Sequence, residues 1–114
     1  MASNKIGRLA GDMQIVISEI MRELKDPRIT GMLSIVRVDV TGDMSYATVY
    51  VSSMESMNAA KQAVEGLSHA SGFIKRELST KLKMRKIPEL RFVADNSIAQ
   101  GAEMSKRIKE LNEE

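Results

Sequence analysis

Between Leu67 and Asp95 the chain sets Lys75, Arg76, Lys81, Lys83, Arg85, Lys86 and Arg91 against Glu77, Glu89 and Asp95. That excess is larger than the formal charge of the whole chain, +2, so the remainder is slightly acidic and the positive field is collected in one stretch. Lysines and arginines crowded in this way supply phosphate contacts and steer a polyanion toward the surface that holds them. A milder use exists: a cation near a helix C-terminus gains about 0.3–1 kcal/mol from the helix dipole. That accounts for one or two cations. It does not account for Lys81, Lys83, Arg85 and Lys86 together, with Lys75, Arg76 and Arg91 close by. Arg8, Arg22 and Arg28 extend the candidate surface from the N-terminal part of the chain. The chemistry specified is phosphate binding, without a base sequence and without a preference for RNA over DNA.

Other chemistries are short of residues. His69 is the single histidine and cysteine is absent, which removes His/Cys metal sites and Cys–His nucleophilic pairs. A serine triad would have to use His69, which has no nucleophile-elbow motif around it and reads as a half-exposed residue near a helix end. Glu19, Arg22 and Glu23 read as a solvated helix face. No phosphate-binding glycine loop or dinucleotide fingerprint is present. The chain therefore reads as non-enzymatic, with no metal, cofactor or small-molecule substrate implied. Tyr46 and Tyr50 could stack bases from a strand. With aromatic residues at 4%, the reading of two sheet-forming tyrosines with wet hydroxyls is preferred. The break Ala70-Ser71-Gly72 either lets two helices meet at an angle or exposes amide donors at a helix start. KH modules place a Gly-x-x-Gly clamp at such a junction. This chain lacks the first glycine, which favours the structural reading.

These residues need elements to position them. With 114 residues, 43% of them apolar and 28% charged, the composition is that of one soluble domain. No stretch approaches a membrane span, and MASNKIGRLAGD lacks the apolar core of a secretory signal. Together with the missing cysteines this fits the cytoplasm. Nine methionines read as adaptable core filler. Helical spacing over residues 4–25 gathers Ile6, Leu9, Ala10, Met13, Val16, Ile17, Ile20, Met21 and Leu24 on one face, with Ile15 as the misfit. Ser3 or Asn4 is placed to cap the helix, and Pro27 stops it near Asp26. A turn over 26–31 follows. Val36, Val38 and Val40 then alternate with Arg37 and Asp39. After the turn Thr41-Gly42-Asp43-Met44, residues Ala47, Val49 and Val51 alternate with Tyr46, Thr48 and Tyr50, which predicts an antiparallel hairpin. Residues 56–69 and 72–84 return to helical spacing around the break, and Pro88 precedes a third strand with Leu90, Phe92 and Ala94 inward. A weaker helical pattern over 102–114, with Met104, Ile108 and Leu111 on one side, predicts a marginal helix or tail.

The order helix, strand, strand, helix, break, helix, strand predicts an α+β domain of two layers, with helices on one face of a small sheet. It is the order of the type II KH-like arrangement, α-β-β-α-(kink)-α-β. A single KH-like domain is expected over residues 1–96 and an extension over 97–114. No uncovered apolar helix is evident, so a monomer is expected.

Specific blocks carry a resemblance beyond this order. The N-terminal helix with Arg8, Asp26-Pro27-Arg28 with Gly31, the hairpin VRVDVTGDMSYATVYVS and the block ASGFIKRELSTKLKMRKIPELRFVADNSI are similar to those of the ribosome-binding factor A family over nearly the whole chain. In the last block the Ala-Ser-Gly kink stands where ordinary KH domains have their glycine loop. Leu82-x-x-Arg85-x-x-Pro88 and Leu90-x-Phe92 follow it. The resemblance implies a non-enzymatic bacterial assembly factor that binds the free or immature small ribosomal subunit. It also implies action late in maturation of the ribosomal RNA and importance in the cold. It suggests that RNA contact rests more on the basic residues around the kink than on a glycine clamp. Within the kink Ala70, Ser71 and Gly72, Ala70 and Gly72 are expected to set the angle between the helices that presents this surface. Two departures stand out. The hairpin turn is Thr41-Gly42-Asp43-Met44 where the family has a Ser-Pro-Asp-Leu-like turn, and the C-terminal tail is short and acidic. Two rival readings remain: a general RNA chaperone with no ribosomal address, and a protein-interaction module using Tyr46 and Tyr50 on the open sheet face.

Overall fold

The computed structural model describes residues 2–95. Six elements follow in the order α1 (Ala2–Glu23), β1 (Leu33–Val40), β2 (Tyr46–Ser53), α2 (Met57–His69), α3 (Ser71–Leu82) and β3 (Glu89–Asp95). The helix expected over 102–114 lies outside the described residues. The strands form one sheet in the order β1-β2-β3. β1 and β2 are an antiparallel hairpin, and β3 runs parallel to β2 after the α2–α3 crossover. This is the α+β, two-layer, KH-like architecture expected from the element order.

One face of each strand and one stripe of each helix supply the core. Met13, Ile17 and Ile20 of α1 meet Ile35, Val38, Val49, Val51 and Phe92 from the sheet, and Leu67, Ile74 and Leu78 from α2 and α3. Leu67, Ile74 and Leu78 are completely buried, each stabilising the fold by about 1.5–3 kcal/mol relative to exposure. Ile15 points out of this layer, 61% exposed. α1 runs antiparallel to β1. Its first turns, at Ile6, Gly7 and Ala10, lie beside Val38, Asp39 and Val40, and its last, at Met21 and Arg22, beside Leu33.

The simple alternation expected in β1 is broken. Ile35 pairs with Val51 and Arg37 with Tyr50, so Val36 is the extra residue of a β-bulge. Ile35 and Val38 are therefore the buried residues of β1, while Val36 is only partly buried. A bulge shifts the pleat by one residue and disturbs the ladder. Here the carbonyl of Ile35 accepts instead from Nε2 of Gln14 on α1, at 2.9 Å.

The helix ends also differ from the spacing. α1 starts at Ala2, which puts Ser3 and Asn4 inside its first turn instead of before it. Ser56 caps α2 by accepting from the Ala59 amide at 3.0 Å. α3 ends at Leu82, short of Met84, because Lys83 takes the left-handed conformation (φ 52°, ψ 43°). The turn before β1 is locked onto α2. A side chain at Gly66 would run into Ile29 and Asp26, so only glycine permits this approach.

Candidate nucleic-acid interface

The basic stretch becomes a compact structure at the exit of α3. The Lys83 amide donates to the Ser79 carbonyl. The Met84 amide donates to the same carbonyl at 3.2 Å, and Ser79 Oγ donates to the Met84 carbonyl at 3.0 Å. Ser79 thus closes the helix from both sides and holds a residue with a side chain where glycine is usual, at a cost of about 1–2 kcal/mol. Buried Pro88 and half-buried Ile87 anchor the other end of the connection. Between these anchors Lys81, Lys83, Arg85 and Lys86 are all exposed, and none forms an ion pair among the described residues.

The connection lies at the end of the sheet that carries the β1–β2 turn, because the Glu89 amide donates to the Ser45 carbonyl at 2.9 Å. Arg8, in the early turns of α1, is at this end too. Arg91, on the face away from the helices, lies 4.0 Å over the ring of Tyr46. Lys75 reaches the same end but is engaged, its Nζ 3.1 Å from the Glu89 carboxylate. Arg76 is exposed on α3. In the turn itself the Asp43 carboxylate accepts from the Ser45 amide at 3.0 Å and from Thr41 Oγ1 at 2.8 Å. The Ser45 amide above all, with the Thr41 hydroxyl, holds Asp43 down at about 2.

Arg22 and Arg28 are placed elsewhere. Arg22 closes α1 about 21 Å along the helix axis from Arg8, beside Met21, Leu24 and Leu33 at the opposite end of the sheet. Arg28 faces inward to its own turn. Its Nη2 is 2.8 Å from Asp26 Oδ2, its Nε 3.1 Å from Oδ1, and its amide donates to Oδ1 at 2.8 Å. The Arg28 side-chain bonds, then its amide, hold Asp26 at about 2, and the carboxylate in turn raises the Arg28 guanidinium. The cations that share the β1–β2 turn end are thus Arg8, Lys75, Lys81, Lys83, Arg85, Lys86 and Arg91, without Arg22 and Arg28.

At the kink the irregular residue is Ala70 alone (φ −93°, ψ 9°). Its amide still donates to Gly66 and its carbonyl accepts from Ile74. Ser71 opens α3. Gly72 sits in the first turn with open space where a side chain would be. Beside it Phe73 is 42% exposed.

One residue was not singled out as a binding candidate. Arg37 lies 4.6 Å over the ring of Tyr50 and pairs with Asp39 at 2.7 Å. The Tyr50 side chain, and after it Asp39, favours its charged form. The signal was the hairpin register, which sets Arg37 opposite Tyr50.

A KH-like sheet with helices on one face and exposed cations gathered at one end defines the class as a small basic binding module. A family model described as ribosome-binding factor A matches residues 5–108, and the chain belongs to the ribosome-binding factor A family. It is 42% identical to ribosome-binding factor A of Treponema denticola over 97% of this chain and 86% of that protein. It is 43% identical to that of Acetivibrio thermocellus over 95% and 89%. Among solved structures it resembles the solution structure of a putative ribosome binding factor A from Thermotoga maritima, with a TM-score of 0.71 and 32% identity over 81% of this chain and 88% of that one. The crystal structure of ribosome-binding factor A from Thermus thermophilus gives a TM-score of 0.70 at 26% identity over 78% and 93%. A third match is a Thermus thermophilus ribosome binding factor A homology model fitted into the cryo-EM map of a 30S complex of that protein. Its TM-score is 0.61 at 27% identity over 74% and 88%. No helix among the described residues is long and apolar enough to cross a membrane.

Proposed function

We propose that this protein binds the free or immature small ribosomal subunit and assists late maturation of its ribosomal RNA without catalysing a reaction. The observation that carries the reading is the set of cations around the α3–β3 connection that are unpaired among the described residues, in a chain whose relative is fitted into a 30S complex. Lys81, Lys83, Arg85 and Lys86 bind phosphates, flanked by Arg8, Arg76 and Arg91. Lys75 joins them when RNA competes with Glu89. Arg22 serves the opposite end of the surface, and Arg28, expected to join it, is instead engaged by Asp26 and serves its own turn. Ala70, Ser71 and Gly72 set the angle at which α3 presents this edge. Counterion release supplies most of the affinity, and the shape of the subunit supplies the address. The protein acts as a cytoplasmic monomer, with residues 1–96 as the binding domain and 97–114 as an extension. Its role in the cold follows from the family resemblance.

Sedimentation of the purified protein with small subunits, large subunits and whole ribosomes across a salt series tests this. Selective co-migration with free small subunits, lost steeply as salt rises, is the expected result. Equal binding to all particles would leave a general KH-like RNA binder with no ribosomal address.

A further inference from the structure

The sheet face turned away from the helices carries a second pattern of cations. In the antiparallel ladder Arg37 stands opposite Tyr50, and its guanidinium lies 4.6 Å over that ring. In the parallel ladder Arg91 stands opposite Thr48 and lies 4.0 Å over the ring of Tyr46, its diagonal neighbour. Each tyrosine therefore holds one flexible arginine against the sheet. The outer side of each guanidinium is left to solvent, and the Arg37 side chain is 63% exposed. An unstacked base lies on a guanidinium plane as it does on an aromatic ring, and the N–H edges of the same group reach a phosphate.

We propose that this open face is a second RNA surface, taking single-stranded, unstacked nucleotides on platforms made by Arg37 over Tyr50 and Arg91 over Tyr46. It rests on the RNA-binding reading above and extends it from phosphate contact at one edge to base stacking across the sheet. The two stacked guanidiniums, and not net charge, favour a nucleic acid as occupant, since Arg37 and Arg91 share this register with Asp39, Glu89 and Asp95. Arg91 has no carboxylate partner among the described residues, and Arg37 is only balanced by Asp39. A protein partner would need a bare apolar patch. The exposed large apolar side chains on this face are Tyr46, which lies beneath Arg91, and Val93. The face is continuous with the basic connection, since Arg91 follows Lys86 at the same end of the sheet.

The test is a titration of the full chain, labelled with nitrogen-15, by short single-stranded oligouridylate and separately by an RNA duplex. Oligouridylate is expected to shift the amides of Thr48, Tyr50 and Val93 as well as those of Lys81–Lys86, and the duplex only the latter. Arg37→Lys keeps the charge and removes the planar platform. It is expected to weaken oligouridylate binding at least about threefold and to leave duplex binding unchanged. Shifts confined to Lys81–Lys86, or wild-type oligouridylate binding by Arg37→Lys, would overturn the inference while small-subunit co-sedimentation still stood. Dependence of particle binding on Tyr46 and Tyr50 without any RNA-induced shift on this face would assign it to a protein and overturn it equally. Loss of both sets of shifts together with loss of co-sedimentation would instead remove the functional reading itself.

Discussion

The turn before β1 and the connection before β3 both carry lysine, arginine and proline and use their cations in opposite ways. In the first, Arg28 is clamped on Asp26 by two side-chain bonds, and the turn is pressed onto α2 at Gly66. In the second, Lys81, Lys83, Arg85 and Lys86 stand exposed, unpaired among the described residues, around a left-handed residue held by Ser79. A cation engaged by a neighbouring carboxylate supports the fold. A cation with no partner in its own chain is available to a partner outside it. Counting basic residues does not separate the two cases; pairing does.

The sharpest break of the first region is Gly66→Val. The added side chain meets Ile29 at van der Waals overlap, and the variant should lose about 1–3 kcal/mol of stability in urea unfolding. In the second region the double reversal Lys83→Glu with Arg85→Glu should leave urea unfolding near wild type and weaken small-subunit binding by about tenfold or more at moderate salt. Lys83→Gly separates backbone from charge. Relief of the left-handed strain should raise stability by about 1 kcal/mol while subunit binding falls, so the two readouts move in opposite directions.

Acid addresses the carboxylates. Asp26 and Asp43 are both lowered from the ordinary 3.8 to about 2 in the folded protein. A depressed carboxyl stabilises the fold above its unfolded value, and that contribution is lost as pH falls through the folded one. Thermal unfolding should therefore lose stability between about pH 4 and pH 2, and Asp26→Asn should flatten that loss. The smallest effect is a gain: Glu89→Gln frees Lys75 and should raise subunit affinity by about twofold at low salt.

Much of this was legible in the residues. The period-two runs located three strands, Ala70-Ser71-Gly72 marked the helix break, and the crowding of Lys81–Lys86 marked an exposed basic connection. The bulge at Val36 was not, because alternation in one strand is silent about the register of its partner, and the valines at 36, 38 and 40 read as an unbroken stripe. The end of α3 was missed for a related reason: helical spacing runs on to Met84, and only the Ser79 bonds show the turn closing at Lys83. The separation of Arg8 from Arg22 depends on the length and direction of α1 against β1. The lock on Arg28 is written in its spacing from Asp26, two residues apart, but the choice between solvent and carboxylate is made by the folded turn. Arg37 required the hairpin register before its ring partner was visible.

Cations of the α3–β3 connection that are unpaired among the described residues bind phosphate, while Arg28 serves the fold. The most direct test is the slope of log affinity against log salt for small-subunit binding, measured for wild type, for Lys83→Ala with Arg85→Ala, and for Arg28→Ala. On this division of roles the double variant lowers the slope by roughly 1.5–2, for two phosphates no longer neutralised, and Arg28→Ala leaves it at the wild-type value. An unchanged slope in the double variant, or an equal drop in Arg28→Ala, would contradict it.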